Sequence, residues 1–150
     1  MTLTPLALAH YLSILLLLAL LLAELLQFRR LLSVRRARWL IATDLAYGGS
    51  AGLVLATGLA RVIWQGKGWE YYLHNGFFHA KIGLFLVVSC LSILPTLCFL
   101  GWRERLRQGL APQIEARQAW RIRAVLLSEL LLLLAMAPLA TLMARGHGQF

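Results

Sequence analysis

Residues 3–28 read LTPLALAHYLSILLLLALLLAELLQF, and residues 29–38, directly after them, read RRLLSVRRAR. This junction decides the fold class. About 20 apolar residues are enough to cross the hydrocarbon core of a bilayer, and the first run exceeds that. The second run carries Arg29, Arg30, Arg35, Arg36 and Arg38 and no acid. Neither a basic segment before the apolar run nor a cleavage-type site after it is present, so the run reads as a retained membrane helix and not a signal peptide.

Working outward, three more apolar stretches of similar length follow, at about 40–64, 76–100 and 123–143. Four such stretches in 150 residues leave room only for short connections. The expected fold is an all-α membrane protein, a single four-helix antiparallel transmembrane bundle over residues 1–150. No internal repeat or separate soluble domain is apparent. Composition agrees: 60% of residues are hydrophobic, 14% are charged and the mean hydropathy is +0.72. Soluble domains carry roughly 25% charged residues. A disordered or collagen-like chain is excluded.

The net charge of +9 would suggest nucleic acid in a soluble protein. Here the charge is placed otherwise. The connector over 101–123 holds Arg103, Arg105, Arg107, Arg117, Arg121 and Arg123, with Glu104 and Glu115. With the five Arg of 29–38, eleven Arg flank alternate connections, against Arg61, Lys67, Arg145 and the intramembrane Lys81 elsewhere. The positive-inside rule puts both Arg-rich loops in the cytoplasm, against anionic lipid headgroups, and both termini outside, in the inner membrane of a bacterium. Nucleic acid is not an expected partner; a second copy or a membrane redox partner is. Trp39, Trp64, Trp69, Tyr71, Tyr72, Trp102 and Trp120 fall near the expected interfaces, as an aromatic belt requires.

Ionisable groups within a span are costly and are functional candidates by default. In the first helix His10, Ser13, Glu24 and Gln27 share roughly 100° of arc, which directs them to the bundle interior. In the second, Gly48, Gly52, Ala56 and Ala60 repeat every fourth residue, the pattern that lets helices approach closely. In the third, His79 and Lys81 point about 160° apart, so both cannot face one bundle axis. In the fourth, Glu129, Met136 and Met143 share a face. Cys90 and Cys98 are about 12 Å apart along a helix, too far for a mutual disulfide.

Folding the four helices back on one another sorts these groups into two layers. His10, Arg61, His74, His79, Lys81 and Met143 lie near the outer face. Glu24, Asp44 and Glu129 lie in the cytoplasmic half. Two His on separate helices at one depth can take both axial positions of a haem iron. Here that pair is His10 and His79, with His74 or Met143 as substitute second ligands and Arg61 and Lys81 facing the propionates. Interhelical hydrogen bonding by the same His residues is the plainer alternative. Glu24 and Asp44 lie close enough to the first Arg-rich connector to pair with it. Glu129 lies about 9 Å beyond Arg123 and is the candidate for handling protons. His147 belongs to the solvated tail.

The segments DLAYG at 44–48, ATGLARV at 56–62, GKGWEYY at 66–72, FHAK at 78–81 and SILPT at 92–96 resemble a family of small bacterial membrane proteins known as a domain of unknown function. That resemblance covers nearly the whole chain and implies a fold and a location but no reaction. A more distant similarity is to the HemJ-type protoporphyrinogen oxidases and the CopD-like membrane proteins. His10 and the His79-Ala80-Lys81 segment match the first-helix His and the later His-x-Lys of the HemJ type. The Trp- and Arg-rich first-helix motif of that type is absent. The similarity implies haem b. Two function classes follow. One is a haem b redox protein, either an electron carrier or an oxidoreductase acting on a quinone or porphyrinogen. The other is a non-enzymatic membrane protein, a structural partner or small permeation unit whose buried polar groups serve packing.

Overall fold

The structure, a computed structural model, describes residues 4–64 and 69–145. Lys67 and His147 lie outside the described residues, as does the side chain of Met143. Six helices follow in chain order: α1 (Pro5–Gln27), α2 (Val34–Trp64), the short α3 (Trp69–Leu73), α4 (Gly76–Gly101), the short α5 (Arg103–Arg107) and α6 (Ala116–Ala144). The four long ones, α1, α2, α4 and α6, are long and apolar enough to cross a membrane.

The helix ends have local causes. Pro5 stands in the first turn of α1, where its missing N–H costs nothing, and the Thr4 hydroxyl accepts from Ala7 N at 3.4 Å. Ser33 starts α2 by accepting from Arg36 N at its hydroxyl and from Ala37 N at its carbonyl. That cap sets the helix start at Val34, ahead of the apolar run from residue 40, so the first turns of α2 carry Arg35, Arg36 and Arg38 in solvent. The Asn75 side chain caps α4 by accepting from Phe78 N at 3.1 Å. Gly109, at φ +74°, ends α5 in the left-handed conformation that glycine adopts without penalty.

α1 packs chiefly on α2 and α4 chiefly on α6, so the bundle is two hairpins; thinner α2–α4 and α1–α6 contacts close the ring. Each helix contributes one buried stripe. In α1 it is Ala7, His10, Ser13, Leu17, Leu21 and Glu24, at the three- and four-residue spacing of one helix face. In α2 it runs through Ala37, Leu40, Asp44, Tyr47, Ser50 and Val54. In α6 it passes through Ile122, Leu126, Glu129 and Leu133. The opposite faces are bare leucine: Leu15, Leu26, Leu94 and Leu131 are 62%, 66%, 57% and 67% exposed. Apolar surface on that scale needs lipid around it.

The small-residue repeat of α2 does not do what its spacing suggests. Gly48, Gly52 and Ala56 are exposed, and a Cβ at Gly48 or Gly52 would meet nothing within 4 Å. The reason is the competing stripe on the same helix. Asp44 and Tyr47 are costly to leave in lipid, so they take the inward face and the glycines are turned out. Gly58 is the small residue that a neighbour uses: a Cβ there would stand 3.2 Å from the His10 ring.

Both Arg-rich connectors lie at one end of the bundle. Arg38 of α2 donates to the Leu106 carbonyl of α5 at 2.8 Å. Below that bond Phe28, Phe99 and Trp102 stack, with ring centroids 5.9 Å and 5.0 Å apart. Trp39, Trp64, Trp69 and Trp120 are exposed near helix ends, whereas Trp102 is buried in this stack.

Candidate functional site

Two polar layers occupy the bundle, and they differ in character. The first lies toward the Arg-rich end. Glu24 from α1, Asp44 from α2 and Glu129 from α6 are 0%, 2% and 0% exposed. Each sits on the buried stripe of its helix. Tyr47 donates its hydroxyl to Glu129 Oε2 at 2.9 Å, and Thr96 of α4 donates to Asp44 Oδ1 at 2.8 Å. Thus each long helix supplies a polar group. Both Glu24 oxygens, Asp44 Oδ2 and Glu129 Oε1 are buried without a hydrogen-bond partner. Buried polar atoms are nearly always paired, so a carboxyl with two orphaned oxygens marks a site.

Among the described residues no Arg is within ion-pair distance of these acids. Arg29, Arg30, Arg35 and Arg36 are exposed, and the ion pair found among the described residues is the surface pair Arg107–Glu104 at 3.7 Å. The expected pairing of Glu24 and Asp44 with the first connector is therefore corrected. Those Arg belong to the loop and the first turns of α2, and the acids face the other helices across the bundle. Among the described residues no three His, Cys, Asp or Glu side chains have an arrangement that would hold a metal ion.

The second layer lies at the opposite end. His10 is 4% exposed, and its Nδ1 is 2.9 Å from Thr57 Oγ1. The Thr57 proton goes to the Leu53 carbonyl at 2.7 Å, so Thr57 accepts and His10 Nδ1–H donates. Ser13 gives its proton to the His10 carbonyl at 2.8 Å. Beside this network is a cavity of about 140 Å³, lined by His10, Arg61, Lys81, Tyr72 and apolar side chains of α2, α4 and α6. The Arg61 guanidinium lies 5.2 Å from the centre of the Tyr11 ring.

Of the residues singled out in the sequence, His10, Arg61 and Lys81 are brought together at this cavity. His79 is not. It is exposed, outside the lining, and its Nε2 donates to the Leu73 carbonyl at 2.9 Å. The Asn75 cap fixes where α4 begins, and from that start Lys81, not His79, turns inward. His74 is likewise exposed, with Nδ1 2.9 Å from the Glu70 carbonyl. Met136 lines the cavity. His10 and His79 thus do not line one cavity. The cavity is also smaller than the roughly 300–1,000 Å³ usual for small-molecule pockets. Tyr47, Thr57 and Thr96 complete the two networks as hydroxyl partners. Hydroxyls are common in apolar spans, and only their position opposite an acid or a His distinguishes these three.

Between the layers lie Leu17, Leu21, Val54, Val88 and Leu133, all buried. They form an apolar septum across the bundle.

A four-span bundle with ionisable groups facing inward and leucine facing outward defines an integral membrane protein. The chain belongs to the family described as predicted membrane protein DUF2214, whose model matches residues 4–148. No curated protein and no solved structure gives a match, so the similarity to HemJ-type and CopD-like proteins gains no support.

Proposed function

We propose that this protein is a small, non-enzymatic proton-handling unit of the bacterial cytoplasmic membrane, with both termini periplasmic and the Arg-rich end among anionic headgroups on the cytoplasmic side. The orientation rests on the eleven Arg at that end. The proton-handling reading rests on one observation: Glu24 is fully buried with both carboxyl oxygens unpartnered, beside Asp44 and Glu129. An isolated buried charge is expensive. Three neighbouring carboxyls without a counter-charge are stable in a dry core when they hold protons. Carboxyl clusters of this kind serve as proton relays in membranes. The septum of Leu17, Leu21, Val54, Val88 and Leu133 separates the cluster from His10, so passage across the bundle requires water to enter between those side chains.

The test uses the purified protein in liposomes containing a trapped pH dye, with a potassium diffusion potential imposed. Wild type is expected to pass protons faster than empty vesicles. Glu24→Gln and Glu129→Gln should fall to the empty-vesicle rate, and Val54→Ser should exceed wild type. The infrared band of protonated carboxyls should diminish in each Gln variant. A wild-type rate equal to that of empty vesicles, with no such band, overturns the reading. An absorption spectrum of the same preparation tests the haem expectation separately. A Soret band that shifts on reduction would bear that expectation out.

A further inference from the structure

The cavity at the end opposite the Arg-rich connectors is not used by the carboxyl cluster, and its chemistry is of the opposite sign. Arg61 and Lys81 line it from α2 and α4, and no carboxylate does so among the described residues. Neither cation has an ion-pair partner among the described residues; both line the one cavity, and Arg61 has the Tyr11 ring 5.2 Å away as its contact. Two unpaired cations in a half-buried position are unfavourable without an anion. Apart from His10 and Tyr72 the rest of the lining is apolar, including Leu55, Leu59, Ile82 and Phe85.

The shape says where that anion comes from. α2 and α4 are joined near the Arg-rich end by the Thr96–Asp44 bond, and the cavity lies between the same two helices at their other end. Leu55 and Leu59 line the cavity and are also 43% and 41% exposed, so its wall continues onto the lipid-facing surface of α2. A ligand reaching Arg61 and Lys81 along that wall meets charge at one end and leucine at the other. We propose that this cavity binds an anionic bilayer lipid, with its headgroup phosphate between Arg61 and Lys81 and the start of an acyl chain along Leu55 and Leu59. The site is distinct from the contact of headgroups with the Arg-rich connectors at the opposite end.

The experiment purifies the full chain in mild detergent and measures retained lipid by native mass spectrometry, with unfolding temperature as a second readout. The probes are phosphatidylglycerol, phosphatidylcholine and inorganic phosphate. Wild type is expected to retain phosphatidylglycerol through purification and to be stabilised by it, with phosphatidylcholine and inorganic phosphate giving neither effect. Removing both charges in the Arg61→Gln, Lys81→Gln variant should weaken phosphatidylglycerol about tenfold or more, the loss of one charge-assisted contact or greater. The charge-keeping pair Arg61→Lys and Lys81→Arg should restore most of it, which separates binding from misfolding. Ile82→Trp leaves both charges and fills the cavity; it should lose the lipid as well. Arg145→Gln, an exposed charge outside the cavity lining, should leave retention unchanged. Equal retention of phosphatidylcholine, equal stabilisation by inorganic phosphate, or full retention by Ile82→Trp would each overturn the proposal.

Discussion

The two ends of this bundle solve opposite problems with the same four helices. At the Arg-rich end the helices are tied: Arg38 bonds α5, Thr96 bonds Asp44, and Phe28, Phe99 and Trp102 fill the space between. Three acids are sealed in with their oxygens largely unmet. At the far end α2 and α4 leave a cavity lined by two cations. Charge that is costly to bury is therefore enclosed where packing is tight and left accessible where packing is loose. The difference teaches that a stable membrane core tolerates acids that can hold protons more readily than a guanidinium that cannot shed its charge. Lys and Arg in a span need access to water, headgroups or a bound anion.

The sharpest way to break the comparison is by volume. Phe99 is fully buried in the tied end, and Phe78 is half-buried at the cavity. Phe99→Ala should cost about 4 kcal/mol in reversible unfolding, while Phe78→Ala should cost under half as much. Comparable losses would mean that the two ends are equally packed.

The second test concerns the orphaned acid. Replacing an unsatisfied buried polar group by an apolar side chain of similar volume removes its desolvation penalty and is stabilising. Glu24→Met is expected to raise unfolding stability by about 2 kcal/mol while abolishing proton passage. A large destabilisation would show that Glu24 has a structural partner.

Glu129 should behave differently from Glu24, because Tyr47 donates to it. Glu129→Leu leaves the Tyr47 hydroxyl buried and unpaired, a penalty partly offset by removing the unmet Oε1, for a net loss of about 1 kcal/mol. Adding Tyr47→Phe should recover that loss. A double variant no better than the single one would remove the Tyr47 bond from the account.

The smallest effect separates two glycines of α2. Gly58→Ala places a methyl 3.2 Å from the His10 ring, which must shift by a few tenths of an ångström, and should cost about 0.5 kcal/mol. Gly52→Ala meets open space and should gain a similar amount from helix propensity. Thermal unfolding of both variants measures the pair, and equal shifts would place Gly52 at a contact.

What could be read from the sequence follows from this geometry. The α1 stripe was legible because His10, Ser13 and Glu24 recur on one face of an otherwise uniform leucine helix, and all three are buried. Depth was legible too: His10, Arg61 and Lys81 share a level and meet at one cavity. Rotation about the helix axis was not. The Asn75 cap and the Leu73 carbonyl set the phase of α4 and turn His79 outward; the spacing set His79 and Lys81, with Ser89, Ser92 and Thr96, on opposite sides without saying which side faces the bundle. Nor does spacing say which of two stripes on α2 is buried. The glycine repeat is the more regular, but Asp44 and Tyr47 decide the matter by the cost of leaving them in lipid.

The tie between α2 and α4 also has a mechanical side. From Thr96 to the start of α4 at Gly76 is about 30 Å of helix, at 1.5 Å per residue. A rotation of only about 6° at the Thr96 end moves the Gly76 end by roughly 3 Å. Helices whose apolar length exceeds the hydrocarbon thickness respond to a thinner membrane by tilting. α2 and α4 are held by a hydrogen bond near one end and by the chain through α3 at the other, so a tilt of one against the other is taken up at that short connection, beside the cavity.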